Sequence, residues 1–336
     1  MDVQLLKHLG NIDQIAGIRE SRLTSGRGEG IAIAEFYNAA GLRFTVLPDR
    51  GMDIYDFSYN GQNLSFQSKN GLVSPQACTP QKGEFSHNWP GGMLVTCGLD
   101  NVGSYNEDAG VYPTHGRYSS LPAKFFGAVA KWEGDNYLLR AEGEVHQTQM
   151  YNRHLSLHRT IETGLYDKKI ILRDVITNYE DHDEPFMLLY HFNFGYPLLQ
   201  QNSWVKTSGK VIRALSPLAT DKKKMLPPID GREEELYLIS DFGEYAAGVL
   251  YNEELELGAY VAFDTKSLPN MLEWKNMKSH DYVLALEPCN TCGHNRSQAL
   301  RQGEIAVLPP YSKVETHLEL GVLDGLKEIR EFIRNL

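Results

Sequence analysis

Two stretches of the sequence carry a titratable side chain in an apolar, strand-like setting. His191 lies within Leu188-Leu189-Tyr190-His191-Phe192-Asn193-Phe194-Gly195-Tyr196, where strand alternation puts His191, Asn193 and Gly195 on one face. Glu287 ends the apolar run Tyr282-Val283-Leu284-Ala285-Leu286 and precedes Pro288, so its backbone is extended and its strand stops there. An imidazole with an unperturbed pKa of about 6.5 both donates and accepts protons near neutrality. With a carboxylate facing the same cleft it forms the acid/base pair that proton-transfer chemistry requires. The pattern alone leaves the bland readings open: a core histidine bonded to backbone, and an exposed carboxylate at a strand end.

Further polar groups could hold a ligand. His115 sits in the turn-like Pro113-Thr114-His115-Gly116-Arg117, where Gly116 permits close approach and Arg117 offers a fork of donors. Phe85-Ser86-His87-Asn88-Trp89-Pro90-Gly91-Gly92 combines aromatic faces with His87, a composition suited to stacking on a sugar ring while bonding its hydroxyls. Arg50 in Asp49-Arg50-Gly51-Met52-Asp53 reads equally as a hydroxyl-binding group or as part of an ordinary turn. Glu273-Trp274 repeats the platform composition, though a strand with a buried Trp explains it as well. Cys289-Asn290-Thr291-Cys292 has redox-like spacing but no second such pair and no βαβ context. Walker A, Rossmann and GxSxG patterns are absent.

Antiparallel strands must position these groups. Gly30 to Tyr37 and Leu42 to Leu47, then Asp53 to Tyr59 and Gln62 to Gln67 around Asn60-Gly61, predict two hairpins. A meander follows over Lys124 to Trp132, Tyr137 to Val145, Leu155 to Thr163 and Lys169 to Thr177. Further strands are expected over Phe186 to Phe194, Gly248 to Tyr251, Leu255 to Phe263, Met271 to Trp274, Tyr282 to Leu286, Ile305 to Leu308 and Lys313 to Val322. With no fixed-period repeat, the expectation is an all-β, large antiparallel double-sheet sandwich in a single domain, 1–336. Helical spacing is confined to an N-terminal extension, 1–28, and a C-terminal helix, 324–336. Lys222 to Glu235, with Pro227-Pro228, reads as an exposed loop.

A formal charge of −10, from 33 basic and 43 acidic residues without a basic block, argues against nucleic acid as a partner. No stretch approaches the roughly 20 apolar residues of a membrane helix, and four cysteines in 336 residues make no disulfide framework. The expectation is a cytoplasmic protein with no membrane partner. The sequence leaves room for a homodimer.

Thr114-His115-Gly116, Tyr190-His191-Phe192-Asn193-Phe194 and Leu284-Ala285-Leu286-Glu287-Pro288 occur in the order seen in the galactose mutarotase-like superfamily, which the chain resembles over most of its length. Leu47-Pro48-Asp49-Arg50-Gly51-Met52-Asp53-Ile54 and Cys97-Gly98-Leu99 make it similar to a branch of that superfamily known as the aldose 1-epimerase family or DUF4432. The resemblance implies a β-supersandwich with a small-molecule carbohydrate in an open cleft. It implies Glu287 as base and His191 as acid, His115 polarising the same region, and no metal or organic cofactor. Arg50, His87, Arg117, Glu273 and Asn193 are the further candidates for substrate contact. The usual Asn-His-x-Tyr-Phe-Asn run is replaced here by Tyr190-His191-Phe192-Asn193-Phe194-Gly195, and no residue matches the Asp that in the family contacts distal sugar hydroxyls, which favours a sugar other than galactose. Two rivals share these residues: a non-catalytic sugar-binding protein, and a sugar isomerase or lyase with a divalent metal on His87, His115, His191 and Glu287.

Overall fold

In the computed structural model the described residues are 3–107, 110–217 and 225–336. Short apolar and alternating runs form twenty strands. The first six are β1 (Gly17–Arg22), β2 (Ala32–Tyr37), β3 (Leu42–Leu47), β4 (Asp53–Tyr59), β5 (Gln62–Asn63) and β6 (Leu94–Leu99). The central run holds β7 (Phe125–Glu133), β8 (Asn136–Gln149), β9 (Arg153–Gly164), β10 (Lys169–Asn178), β11 (Glu184–Phe194), β12 (Trp204–Thr207) and β13 (Lys210–Ala214). The last seven are β14 (Glu235–Ser240), β15 (Ala246–Asn252), β16 (Leu257–Phe263), β17 (Asn270–Lys278), β18 (Asp281–Cys289), β19 (Ala306–Leu308) and β20 (Lys313–Asp324).

They assemble into two antiparallel sheets. The larger has twelve strands in the order β1-β2-β3-β4-β6-β11-β18-β17-β14-β13, with β5 on β4 and β19 on β11. The smaller has eight, in the order β12-β15-β16-β20-β10-β9-β8-β7. The meander β7 to β10 follows from alternation: β8 buries every second residue from Tyr137 to Gln147 and turns the others outward.

The apolar core lies between the sheets. Ile54, Leu94, Tyr190, Phe192 and Leu286 of the larger sheet meet Leu157, Ile161, Leu172, Leu318 and Leu320 of the smaller. A smaller apolar cluster, with Val95, Cys97, Leu189, Leu272 and Cys289, covers the opposite face of the larger sheet. That face carries the candidate site.

Helices are short: α1 (Val3–Leu6), α2 (Phe85–Asn88), α3 (Arg296–Gln302) and α4 (Leu326–Arg334). The C-terminal stripe becomes α4, which buries Ile329. The N-terminal stripe is realised only as α1 and a single 3₁₀ turn, and Gly17–Arg22 pairs with β2 as an edge strand. A free sheet edge is a stronger local template than a partial helical pattern. Leu226 to Glu234 of the expected loop is irregular, while Glu235 already begins β14; residues 222–224 lie outside the described residues. No helix among the described residues is long and apolar enough to cross a membrane.

Candidate active site

The site is made by two neighbouring strands. β11 and β18 pair with Leu189 opposite Cys289 and Phe192 opposite Leu286, and that register sets His191 against Glu287. Alternation sends Tyr190, Phe192, Leu284 and Leu286 into the core and turns His191 and Glu287 to the other face. There His191 Nε2 lies 3.1 Å from Glu287 Oε1, with the side chains 7% and 3% exposed. β17 flanks the pair, with Leu272 opposite Glu287.

The pair opens into a cavity of about 720 Å³ whose wall includes Phe66, Phe85, Trp89, His115 and Trp274. The rings of Trp89 and Trp274 lie 5.7 and 5.5 Å from that of His191, at steep angles. His115 adjoins the pair as well, its ring centre 5.7 Å from His191 and 5.2 Å from Phe85. Polar groups at the wall are Lys69, paired with Asp281 at 2.8 Å, and Glu234, which accepts from Trp274 Nε1 at 2.7 Å. Trp89 Nε1 and His115 Nδ1 are buried donors or acceptors without a partner among the described residues. Aromatic faces around a few convergent polar atoms are the usual composition of a small-molecule site.

Burial sets the electrostatics. It drives Glu287 well above the usual carboxyl range, and nearby Glu234 adds in the same direction. Burial lowers His191 to about 3, with His115 pushing the same way and Asn193 opposing. His115 is lowered to about 4, again by burial. Burial therefore favours the form in which both groups are neutral and the pair's one proton sits on Glu287. Passing it from Glu287 to His191 makes an ion pair without altering the net charge the cavity buries.

The site can be set beside known proteins. The family model described as Domain of unknown function (DUF4432) matches residues 28–322. The chain belongs to that family. No curated protein matches it. Among solved structures it is similar to one from Klebsiella pneumoniae subsp. pneumoniae MGH 78578 described as a "putative aldose 1-epimerase". That match has 22% identity and a TM-score of 0.89, and covers 95% of this chain and 86% of that one. It is also similar to a galactose mutarotase-like protein from Clostridium acetobutylicum, at 13% identity, a TM-score of 0.63 and coverages of 93% and 99%. A third is the galactose 1-epimerase of Lactobacillus acidophilus NCFM, at 14% identity, a TM-score of 0.61 and coverages of 92% and 99%. This DUF4432 chain thus has the galactose mutarotase-like fold.

Of the candidate residues, His191, Glu287 and His115 share the cavity. His115 holds a left-handed backbone, φ +58°, which non-glycine residues seldom adopt. Gly116 beside it, φ +76°, serves packing and not ligand approach: a Cβ there would meet Gly98 O of β6 at 2.2 Å. The turn is pressed onto the sheet, which fixes His115 over His191.

The other five are not on the cavity wall. Glu273 is fully buried on the core side of β17, because alternation lets only one of Glu273 and Trp274 face the cavity, and it is Trp274. Asn193 shares the face of His191 but is sealed in, its amide donating to Gly92 O at 2.9 Å and His191 O at 2.8 Å. His87 is exposed on α2, which instead presents Phe85 and Ser86. The metal donor set of His87, His115, His191 and Glu287 is accordingly not assembled. The one His/Cys/Asp/Glu group among the described residues close enough to share an ion is Glu180, Asp181 and His182, and none of these lines the cavity. Arg50 and Arg117 line a separate, smaller cavity, whose wall shares Phe85, Trp89 and Thr114 with the larger. Cys289 and Cys292 are both free thiols, and Cys289 Sγ is turned to Thr291 O at 3.4 Å.

Sequence reasoning missed Phe66, Lys69, Glu234 and Asp281 as wall residues. The first two follow β5 and the last begins β18, and no local pattern marks them.

Proposed function

We propose that this DUF4432 protein is an isomerase of the aldose 1-epimerase type, which interconverts the anomers of a sugar or modified sugar by acid/base ring opening. The observation that carries the reading is the 3.1 Å approach of His191 Nε2 to Glu287 Oε1 at the base of an aromatic-walled cavity. The ring oxygen and the anomeric hydroxyl of a cyclic sugar sit on the same carbon. An acid and a base serving both must therefore stand side by side, as these two do.

In the ion-pair form, Glu287 takes the proton of the anomeric hydroxyl while His191 protonates the ring oxygen. The ring C–O bond breaks and an open-chain aldehyde forms. Glu287 is now protonated and His191 neutral, which is the form that burial favours for each group alone. Rotation about the C1–C2 bond presents the other face of the aldehyde. The reverse transfers then close the ring, with no net proton exchanged with solvent. His115 adjoins the same edge and would polarise the oxygens, and Trp89 and Trp274 supply ring-stacking faces.

The test is an NMR anomer-exchange screen over a sugar panel. Glu287→Gln and His191→Asn should each slow catalysed exchange by about 10²- to 10⁴-fold, the usual contribution of one positioned acid or base, while sugar affinity stays within a few-fold of wild type. Wild-type protein that binds a sugar yet never speeds its exchange would instead make this a sugar sensor.

A further inference from the structure

The smaller cavity holds a second site. It measures about 190 Å³, and its wall includes Arg50, Cys78, Asn88, Arg117 and Ser120. Arg50 is 3% exposed. Its guanidinium donates to Val73 O at 2.5 Å and to Cys78 Sγ at 3.5 Å, and among the described residues it makes no ion pair. Asp53 feels it only as the weakest of several influences, behind a direct bond to Arg159. Arg117, by contrast, is neutralised by the buried carboxylate of Asp100 and also donates to Val111 O at 2.7 Å.

A buried cation without a counter-charge is costly and persists where something compensates it. Around Arg50 the wall supplies further donors. Asn88 is 7% exposed, its Oδ1 is taken by Arg27, and its Nδ2 has no acceptor. Val73 O binds one side of the Arg50 fork, which leaves the rest of a planar, five-donor group matched to oxygen pairs.

We propose that this cavity binds an oxoanion, a phosphate, sulfonate or carboxylate group, on Arg50 and the Asn88 amide. The anion comes either free from solution or as a substituent of the molecule whose ring occupies the larger cavity, since Phe85, Trp89 and Thr114 border both. The inference does not depend on the epimerase reading.

Cys78 provides a reporter, because it lines the cavity and is partly exposed, whereas Cys292 is partly exposed and lies outside it. Iodoacetamide labelling of each cysteine is followed by peptide mapping in inorganic phosphate, in glucose 6-phosphate and in potassium chloride of matched ionic strength. At about ten times the dissociation constant, phosphate should slow Cys78 labelling about ten-fold by mass action, leaving Cys292 unaffected and chloride without effect. Arg50→Gln should abolish the protection and Arg50→Lys should retain part of it. Glucose 6-phosphate protecting at far lower concentration than phosphate assigns the anion to a two-cavity ligand; equal potency assigns it to free anion. Unprotected Cys78 in wild-type protein under both anions, or protection that survives Arg50→Gln, would overturn the proposal. The wild-type arm decides the matter even where a variant fails to fold.

Discussion

Adjacent residues of β11 enter two different polar environments. Tyr190 points between the sheets, where its hydroxyl donates to Asp174 Oδ2 at 2.6 Å and contacts Thr316 Oγ1 at 2.6 Å. Asp174 also takes two bonds from Arg159, at 2.9 and 2.7 Å, and that guanidinium reaches Thr96 Oγ1 at 2.9 Å and Asp53 Oδ1 at 3.3 Å. Arg159 is fully buried and fully engaged. His191, one residue on, meets Glu287 and a hollow. Both clusters are buried and titratable. The inner one is closed by its own partners and ties strands of the two sheets together; the outer one leaves His115 Nδ1 and Trp89 Nε1 unanswered. Completeness, not burial, separates a structural network from a candidate site.

The contrast is broken most directly at Arg159. Arg159→Leu strands Asp174 and Asp53 in the core without their counter-charge, and should cost about 3–5 kcal/mol of stability in urea unfolding. His191→Asn should cost well under half of that, because burial already favours the neutral form of its partner Glu287. Equal losses from the two substitutions would mean that the cavity pair is part of the structural frame.

A second comparison uses pH. Burial raises Asp53 from the ordinary 3.8 to about 7, against the pull of Arg159. The folded state therefore binds this proton more tightly than the unfolded chain. Its stabilising contribution is full below pH 3.8 and is lost as pH rises through about 7, by at most about 4 kcal/mol. The lowered histidines of the cavity have the opposite sign: their contribution is full above pH 6.5 and is lost as pH falls toward about 4 for His115 and about 3 for His191. The histidine contribution is common to wild type and Asp53→Asn, so the stability of wild type relative to the variant should fall steadily as pH rises from 4.5 to 7. Urea midpoints that move in parallel for both proteins across that range would refute the assignment.

Much of this division was legible in the alternation of the strands. The period of two in Leu188 to Gly195 placed His191 opposite Tyr190; the apolar run before Glu287 marked β18, but that strand does not stop at Glu287 and runs on through Pro288 to Cys289. The expected meander matches β7 to β10 to within about two residues at either end, except that β8 runs four residues past the expected Val145 to Gln149. Asn60-Gly61 does turn β4 into β5. What failed was reasoning from composition without the pleat. Glu273 and Trp274 look equally suited to a sugar, yet adjacent residues of one strand face opposite ways, and Asn193 lies on the right face but under cover. β6 and β14 went unread although β6 runs fully buried through the middle of the larger sheet. Arg50 is buried for reasons of long-range packing that no local pattern carries. The inner network was hidden for the same cause: Asp53, Arg159, Asp174 and Thr316 are separated by up to hundreds of residues, and only the strand order brings them together.

The smallest expected effect lies at Trp274, where the two faces of the sheet are joined by one strand. Its ring stands edge-on to His191, at 76°, and to Trp89, at 75°, and its Nε1–H is held by Glu234. If the ring is a stacking platform, Trp274→Leu should weaken sugar binding by about 1 kcal/mol, the usual worth of an aromatic contact beyond its area, or roughly five-fold in Kd. Trp274→Phe should recover most of that affinity, since it keeps a face and loses only the bond to Glu234. Titration calorimetry of both variants, with the sugar that the exchange screen selects, separates the two contributions. Should Phe behave like Leu, the working part of Trp274 is its N–H and the hold on Glu234, and Glu234→Gln would then reproduce the defect.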